Sequence, residues 1–318
     1  MSDQTVNSGI DPRSTALQAV QGLELRGKQA IVTGGASGLG FETSRALASA
    51  GASVTLAVRN LAQGRAAVQA LRSEGIQAPL QVVALDLADL ASVARFASQW
   101  GSTPLHILVN NAAIMACPLA RSAQGWESQF AVNHLGHFAL TQALLPALLA
   151  AAPSRVVALS SSGHKLSPVH FDDIHFDRRP YDKWLAYGQA KSANALLALG
   201  LHLRHGGDGI TANAVHPGGI MTGLQQHLST DEMNRLGWFK PDGTPLDLFK
   251  NTEQGAATSV WAATAAELQG RGGLYLEDCH VGLPTVPGDR VSGFAPHIAD
   301  PAAAQRLWQV SNDLLQQA

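Results

Sequence analysis

Residues 29–58 read QAIVTGGASGLGFETSRALASAGASVTLAV, and they fall into four pieces. QAIVT (29–33) is a short apolar run of the kind that forms a strand buried on both faces. GGASGLG (34–40) is a turn, and FETSRALASAG (41–51) predicts a helix with Gly51 just past its end. SVTLAV (53–58) is a second buried strand. Parallel strands need a crossover, so strand, glycine turn, helix and returning strand make one βαβ unit.

Outward from this unit the alternation continues. Helices are expected near residues 61–73, 89–100, 127–151, 186–205 and 252–267. Strands are expected at QVVAL (81–85), LHILVN (105–110), VVALS (156–160), TANAV (211–215) and GLYLE (273–277). The pattern predicts an α/β fold, a single doubly wound domain over residues 23–318 with a seven-stranded parallel sheet flanked by helices. Residues 1–22 are polar and read as an N-terminal extension with a short helix near 16–20.

The 318 residues are 46% hydrophobic and 14% charged, which suits a globular chain with a sizeable core. A formal charge of −2 gives no electrostatic reason for a nucleic acid or an anionic membrane as partner. Two cysteines, Cys117 and Cys279, exclude a disulfide framework and a zinc site built of cysteines. The first fifteen residues hold no apolar core of a secretory signal, and the most apolar stretch, 139–152, is too short to span a bilayer. The expectation is a soluble cytoplasmic protein, which low cysteine usage fits.

Glycine tolerates positive φ, and it lets a pyrophosphate approach the backbone N–H groups at the positive end of a helix. The spacing here is Gly34-x-x-x-Gly38-x-Gly40 rather than the common G-x-G-x-x-G. Taken alone, such a turn is also an ordinary tight connection.

That spacing resembles the one found in short-chain dehydrogenases, and the resemblance runs from about residue 23 to 280. VTGGASGLGFETSRALASAGASVTLAVRN is similar to the opening of the retinol dehydrogenase and WW-domain oxidoreductase branch. NNAA (110–113) stands where the family usually has NNAG, with Ala113 the departure. FAVNHLGHF (130–138), YGQAK (187–191) and HPGGIMT (216–222) follow in the family's order. The 26 positions between Ser161 and Tyr187 match an insertion of the same branch.

The resemblance implies a Rossmann-fold oxidoreductase that interconverts an alcohol and a ketone or aldehyde by hydride transfer. Its substrate would be a small apolar alcohol or carbonyl compound. It places a nicotinamide cofactor on Gly34, Ser37, Gly38, Leu39 and Gly40, then on Asp86, Leu87, Asn111 and Ala112. Pro217, Gly218, Ile220 and Thr222 complete the set, with Tyr187 and Lys191 also in contact. An acidic residue after the second strand would favour NAD. Arg59 stands there, and a guanidinium suits a 2′-phosphate, so NADP(H) is favoured over NAD(H). A solvated surface arginine is the alternative for Arg59, and a turn cap the alternative for Asp86.

Tyr187 and Lys191 are four apart on a predicted helix and share one face. A free phenol titrates near ~10. A neighbouring ammonium and a positive nicotinamide ring would lower that value. Tyr187 is therefore assigned as general acid in reduction and general base in oxidation. Counting along RVVALSS puts the carbonyl-polarising serine at Ser161, with Ser160 and Ser162 as alternatives. The resemblance implies that Asn133 holds a water relaying protons to the lysine; a helix-bend residue bonding backbone is the plainer reading, and the two are compatible.

Residues 221–250 and 281–296, with Trp238, Phe239, Leu246, Leu248 and Phe249, are the expected lid or else plain core. His134 and His137 read as packing, with no metal site expected, and His164, His170 and His175 as a solvated loop. The family resemblance implies a homo-oligomer, dimer or tetramer, paired through the helices at 127–151 and 186–205. Two further readings keep the fold: reduction of a conjugated C=C bond, and a non-catalytic NADP(H)-sensing protein. The tyrosine speaks against the second, since a pure binder has no need of it.

Overall fold

The structure, a computed structural model, describes residues 6, 8–286, 288, 289 and 291–318. Residues 1–5 and 7 of the expected extension, and positions 287 and 290 of the second lid segment, lie outside the described residues. The strands are β1 Gln29–Thr33, β2 Ser53–Val58, β3 Leu80–Ala84, β4 Ile107–Asn110 and β5 Ser154–Leu159. They continue as β6 Ile210–His216, β7 Gly219–Ile220, β8 Phe249–Lys250, β9 Tyr275–Glu277 and β10 His280–Val281.

Eight of these form the main sheet, in the order β10-β9-β6-β5-β4-β1-β2-β3. Seven run parallel as expected, and the eighth, β10, closes one edge antiparallel to β9. The expected count of seven is thus corrected to eight. The added strand is only two residues long, too short to carry a period. Asp278 and Cys279 turn the chain back with φ of 48° and 57°, the left-handed pair that a two-residue hairpin uses.

Helices α1 Ala16–Ala19, α2 Gly38–Ser49, α3 Leu61–Ser73 and α4 Leu90–Trp100 precede the long helical region. There the expected single helix is divided into α5 Ser128–Phe130, one π-helical turn Ala131–Leu135, α6 Gly136–Ala143 and α7 Leu145–Ala150. Pro146 separates the last two, because it lacks the N–H that would continue the ladder. Then come α8 Lys183–His205, α9 Thr230–Arg235, α10 Thr252–Gly255, α11 Ala257–Thr264 and α12 Pro301–Gln316.

Strand side chains alternate between two apolar layers. Ala30, Val32, Val54, Leu56 and Val109 pack with Leu47, Leu71 and Trp261 on one face. Ile31, Ala57, Leu108 and Val156 pack with Phe96, Phe138, Leu148 and Leu201 on the other. Both faces are covered, which is why the strands read as unbroken apolar runs. Each buried Val, Leu, Ile or Phe among them contributes about 1.5–3 kcal/mol of transfer free energy.

Helix α12, which no expectation covered, lies on α8 and α6. Trp308 stands edge-on to Phe138 with ring centroids 5.0 Å apart. The Arg204 guanidinium sits 4.4 Å from the Trp308 ring, and His134 Nε2 bonds Ser311 Oγ at 2.8 Å. Part of the surface of α6 and α8, two of the helices expected to pair with a second copy, is thus covered by the chain's own C-terminal helix. Among the described residues no helix is long and apolar enough to cross a membrane.

Candidate active site

Strand order reverses between β1 and β4, and the crevice outside the carboxyl ends of the strands opens there. It is a cavity of about 1190 Å³, larger than the ~300–1,000 Å³ of a pocket for one small molecule. Its walls include Gly34, Ser37, Gly38, Leu39, Arg59, Asp86, Leu87, Asn111, Ala112, Ser161, Tyr187, Lys191, Pro217, Gly218, Ile220 and Thr222. Of the residues singled out from the sequence, Gly40 and Asn133 do not line it.

The glycine turn is built for close approach. Gly34 and Gly38 have φ of 65° and 52°, and α2 begins inside the turn with Ser37 as its N-cap residue. The Ser37 hydroxyl makes no bond to the helix, so it stays available to a ligand at the helix's positive end. A Cβ on Gly40 would lie 2.3 Å from Gly34 O, so this glycine lets the turn fold onto its helix rather than touch the cavity. Thr33 Oγ1 accepts from the N–H groups of Asn111 and Ala112, both at 2.9 Å, and Asn111 Nδ2 donates to Thr33 O at 2.8 Å. Asn111 therefore ties β1 to the segment after β4 while lining the cavity.

At the end of the cavity beyond β2 and β3, Asp86 Oδ1 accepts from Ala88 N at 2.9 Å, so it caps a turn and also faces the cavity. Arg59 is exposed, and among the described residues no partner holds its guanidinium. Asn60 and Gln63 line the same end, which the sequence reading did not anticipate.

The three serines after β5 separate cleanly. Ser160 is buried and donates its hydroxyl to Lys191 O at 2.8 Å, a structural bond. Ser161 Oγ accepts from Gly163 N at 3.1 Å, and it lines the cavity together with Tyr187. Ser162 opens a 3₁₀ turn, Ser162–Leu166. Lys191 Nζ donates to Leu159 O at 3.0 Å and lies 5.6 Å from the Tyr187 ring centroid.

Burial dominates the electrostatics here. It pushes the Tyr187 phenol up to about 12 against the opposing influence of the Ser161 hydroxyl, and brings the Lys191 ammonium down to about 7. In the protein by itself, then, the tyrosine moves in the opposite direction to the one expected from its lysine neighbour. Desolvation of the phenolate outweighs any ammonium contribution.

Asn133 sits in the π-helical turn with both amide atoms bonded to backbone. Its Oδ1 accepts from Ile114 N and its Nδ2 donates to Ile114 O, each at 2.9 Å. This is the helix-bending arrangement weighed above. Its carbonyl bonds His137 Nδ1 at 2.9 Å, and His137 Nε2 reaches Thr33 Oγ1 at 2.9 Å. Burial pulls His134 down to about 3 and His137 to about 4, so both stay neutral.

One sequence reading is overturned. His164, placed in a solvated loop, is fully buried. Its Nδ1 bonds Ser161 O at 2.6 Å, its Nε2 accepts from Ala295 N at 3.0 Å, and its ring stands edge-on to Tyr275. The 3₁₀ turn after Ser161 drives it under β9. His170 is exposed and His175 is half-buried.

The lid segment does face the cavity, through Leu224, Gln225, Leu236, Trp238, Leu246, Leu248 and Phe249. The sequence reading missed Met115, Leu166 and Trp184, which complete this wall. Trp184 lies three residues before Tyr187, one helical turn away on the same face, and that spacing was available in the sequence.

The short chain dehydrogenase family model matches residues 28–233. A "Probable oxidoreductase" of Streptomyces antibioticus is 48% identical over 301 residues, spanning 93% of this chain and 100% of that protein. The WW domain-containing oxidoreductase of Pongo abelii is 37% identical over 324 residues, spanning 98% of this chain and 74% of the relative. RhlG of Pseudomonas aeruginosa, solved as an NADP active-site complex, superposes with a TM-score of 0.61 at 26% identity. That match covers 80% of this chain and 96% of RhlG.

Proposed function

This chain belongs to the short-chain dehydrogenase family, and from that premise we propose that it is an NADP(H)-dependent oxidoreductase interconverting an alcohol and a ketone or aldehyde. One observation carries the reading. Ser161, Tyr187 and Lys191 line one end of the same cavity, with Lys191 Nζ 5.6 Å from the Tyr187 ring.

Gly34, Ser37, Gly38 and the N-terminus of α2 would hold the pyrophosphate. Asp86, Leu87 and Asn111 would border the adenosine, and Pro217, Gly218, Ile220 and Thr222 the nicotinamide half. A bound nicotinamide supplies or accepts the hydride. The chain's residues orient the substrate and manage the proton. Ser161 donates a hydrogen bond to the carbonyl oxygen, and Tyr187 delivers the proton to it in reduction. In oxidation the direction reverses, and Tyr187 takes the proton from the alcohol. Lys191 bonds the ribose and offsets negative charge on the phenol oxygen. Asn133 ties the π-helical turn to the loop at Ile114 beside the site.

The free Arg59 guanidinium and the NADP found in the RhlG complex support NADP(H) over NAD(H). The substrate is proposed to be apolar, and the assembly a homo-oligomer, pairing through a face that α12 does not cover.

Initial rates at 340 nm with NADPH and NADH against ketones, aldehydes and quinones test the reading. Turnover with NADPH is expected. Tyr187→Phe should bind NADPH normally and lose roughly 10²–10⁴ in rate, the contribution of a positioned acid. Arg59→Ala should raise the NADPH KM about 10- to 100-fold, the range for a hydrogen bond to a charged group, and leave NADH unchanged. A Tyr187→Phe variant at full rate overturns the mechanism. A preference for NADH overturns the Arg59 assignment alone.

A further inference from the structure

From Tyr187 outward the cavity is walled by four aromatic rings in series. Trp184 stands edge-on to Tyr187, with ring centroids 6.5 Å apart and planes at 87°. Trp238 stands edge-on to Trp184 at 6.3 Å and 80°, and Phe249 follows Trp238 at 5.8 Å and 65°. Two of these rings belong to α8, which carries the catalytic pair, and two to the lid segment.

The wall is fixed from both ends. The Glu232 carboxylate on α9 accepts from Lys183 Nζ at 2.7 Å and from Trp184 Nε1 at 3.3 Å, pinning the lid to the start of α8. On the far side Arg13 donates to the carbonyls of Asp247 and Phe249. A wall tied down at both ends is pre-organised, and a ligand that packs on it does not have to order it first.

This part of the cavity is also uncharged. The charged side chains among the residues lining the cavity are Arg59 and Asp86 at the adenosine end and Lys191 next to Tyr187. A substrate anion or cation placed beside Trp184 and Trp238 would lose its water without gaining a partner. A ring gains edge and face contacts there, and it surrenders less conformational freedom than a linear chain of equal size.

The geometry points to a substrate class: an uncharged alcohol or carbonyl compound whose reacting carbon belongs to, or is attached to, a ring that packs on the Trp184–Trp238 wall. The inference rests on the alcohol–carbonyl reading above. Trp184 and Trp238 are its specificity-determining residues.

The test compares 2-tetralone with 2-decanone, two ketones of equal carbon count, and methyl 4-acetylbenzoate with the 4-acetylbenzoate anion. Wild-type kcat/KM with NADPH should favour 2-tetralone, and the neutral ester, by about tenfold or more, the scale of one or two aromatic contacts. Trp238→Ala should bring the tetralone-to-decanone ratio to within a few-fold, Trp238→Phe should restore it, and the NADPH Kd should not move. Equal wild-type efficiency on ring and chain, or a ratio indifferent to Trp238→Ala, overturns the inference while leaving the reaction in place.

If no ketone turns over, the functional reading fails, and the wall is read by calorimetric titration of the two ketones into the NADP⁺ complex. Tighter binding of 2-tetralone that Trp238→Ala removes supports the wall on its own. Equal or undetectable binding of both overturns it.

Discussion

Ser160, Ser161 and Ser162 carry the same hydroxyl on consecutive residues, yet each meets a different partner. Side chains at a strand end alternate in direction, so Ser160 turns to the backbone of α8 and Ser161 turns to Tyr187. Removing a preorganised donor to a developing oxyanion costs on the order of 10²–10³ in kcat. Ser161→Ala is expected to lose that much, and Ser162→Ala to stay within a few-fold of wild type, in steady-state assays with any active ketone. Equal losses in the two variants would sink the assignment. Tyr187 and Lys191 were legible because their spacing on one helix face is a local signal. His164 was not, because its burial depends on Ala295, 131 positions away, and nothing near it in the chain announces that contact.

At the scale of elements, the strands were legible for a plain reason: burial on both faces leaves a continuous apolar run. The π-helical turn at Ala131–Leu135 was not, since its cause is the pair of bonds from Asn133 to Ile114, outside the helix. Helix α12 did carry a signal, with Ala304, Leu307, Trp308 and Ser311 buried at helical spacing. It went unread because the alternation of strands and helices had already closed the fold. The packing of α8 yields a sharper expectation. A Cβ on Gly188 would lie 2.7 Å from Gly163 O and 3.0 Å from Leu166 Cβ. Alanine would gain about 1 kcal/mol of helix propensity. The clash is with backbone, however, so the 3₁₀ turn that Ser161 caps must move away from Tyr187. Misplacement by ~1 Å costs on the order of 10²-fold in rate. Gly188→Ala should therefore lower kcat at least tenfold with no gain in Tm. A raised Tm with unchanged kcat would show that the turn yields freely.

At the scale of the whole molecule, four buried imidazoles, those of His134, His137, His164 and His216, tie stability to pH. Burial brings His134 and His216 to about 3, and His137 and His164 to about 4, from an ordinary value of 6.5. Each folded value lies below the unfolded one. Between pH 6.5 and about 4 the unfolded chain therefore takes up protons that the native chain does not, and stability falls as pH falls through that window. At pH 5 each of these histidines accounts for roughly 2 kcal/mol, at 1.36 kcal/mol per pH unit below 6.5. Glu42, Glu127 and Glu277 act in the other sense, because burial raises their carboxyl values and their native forms hold protons more tightly. Those shifts are smaller than the histidine shifts, and the four imidazoles prevail. Guanidinium unfolding at pH 7 and pH 5 should show a loss of several kcal/mol at the lower pH, and His134→Gln should flatten the slope. A profile that is level or rising toward pH 5 would mean that water or a counter-ion reaches these rings in the native state, and that the interior around α6, α12 and β6 is looser than its packing implies.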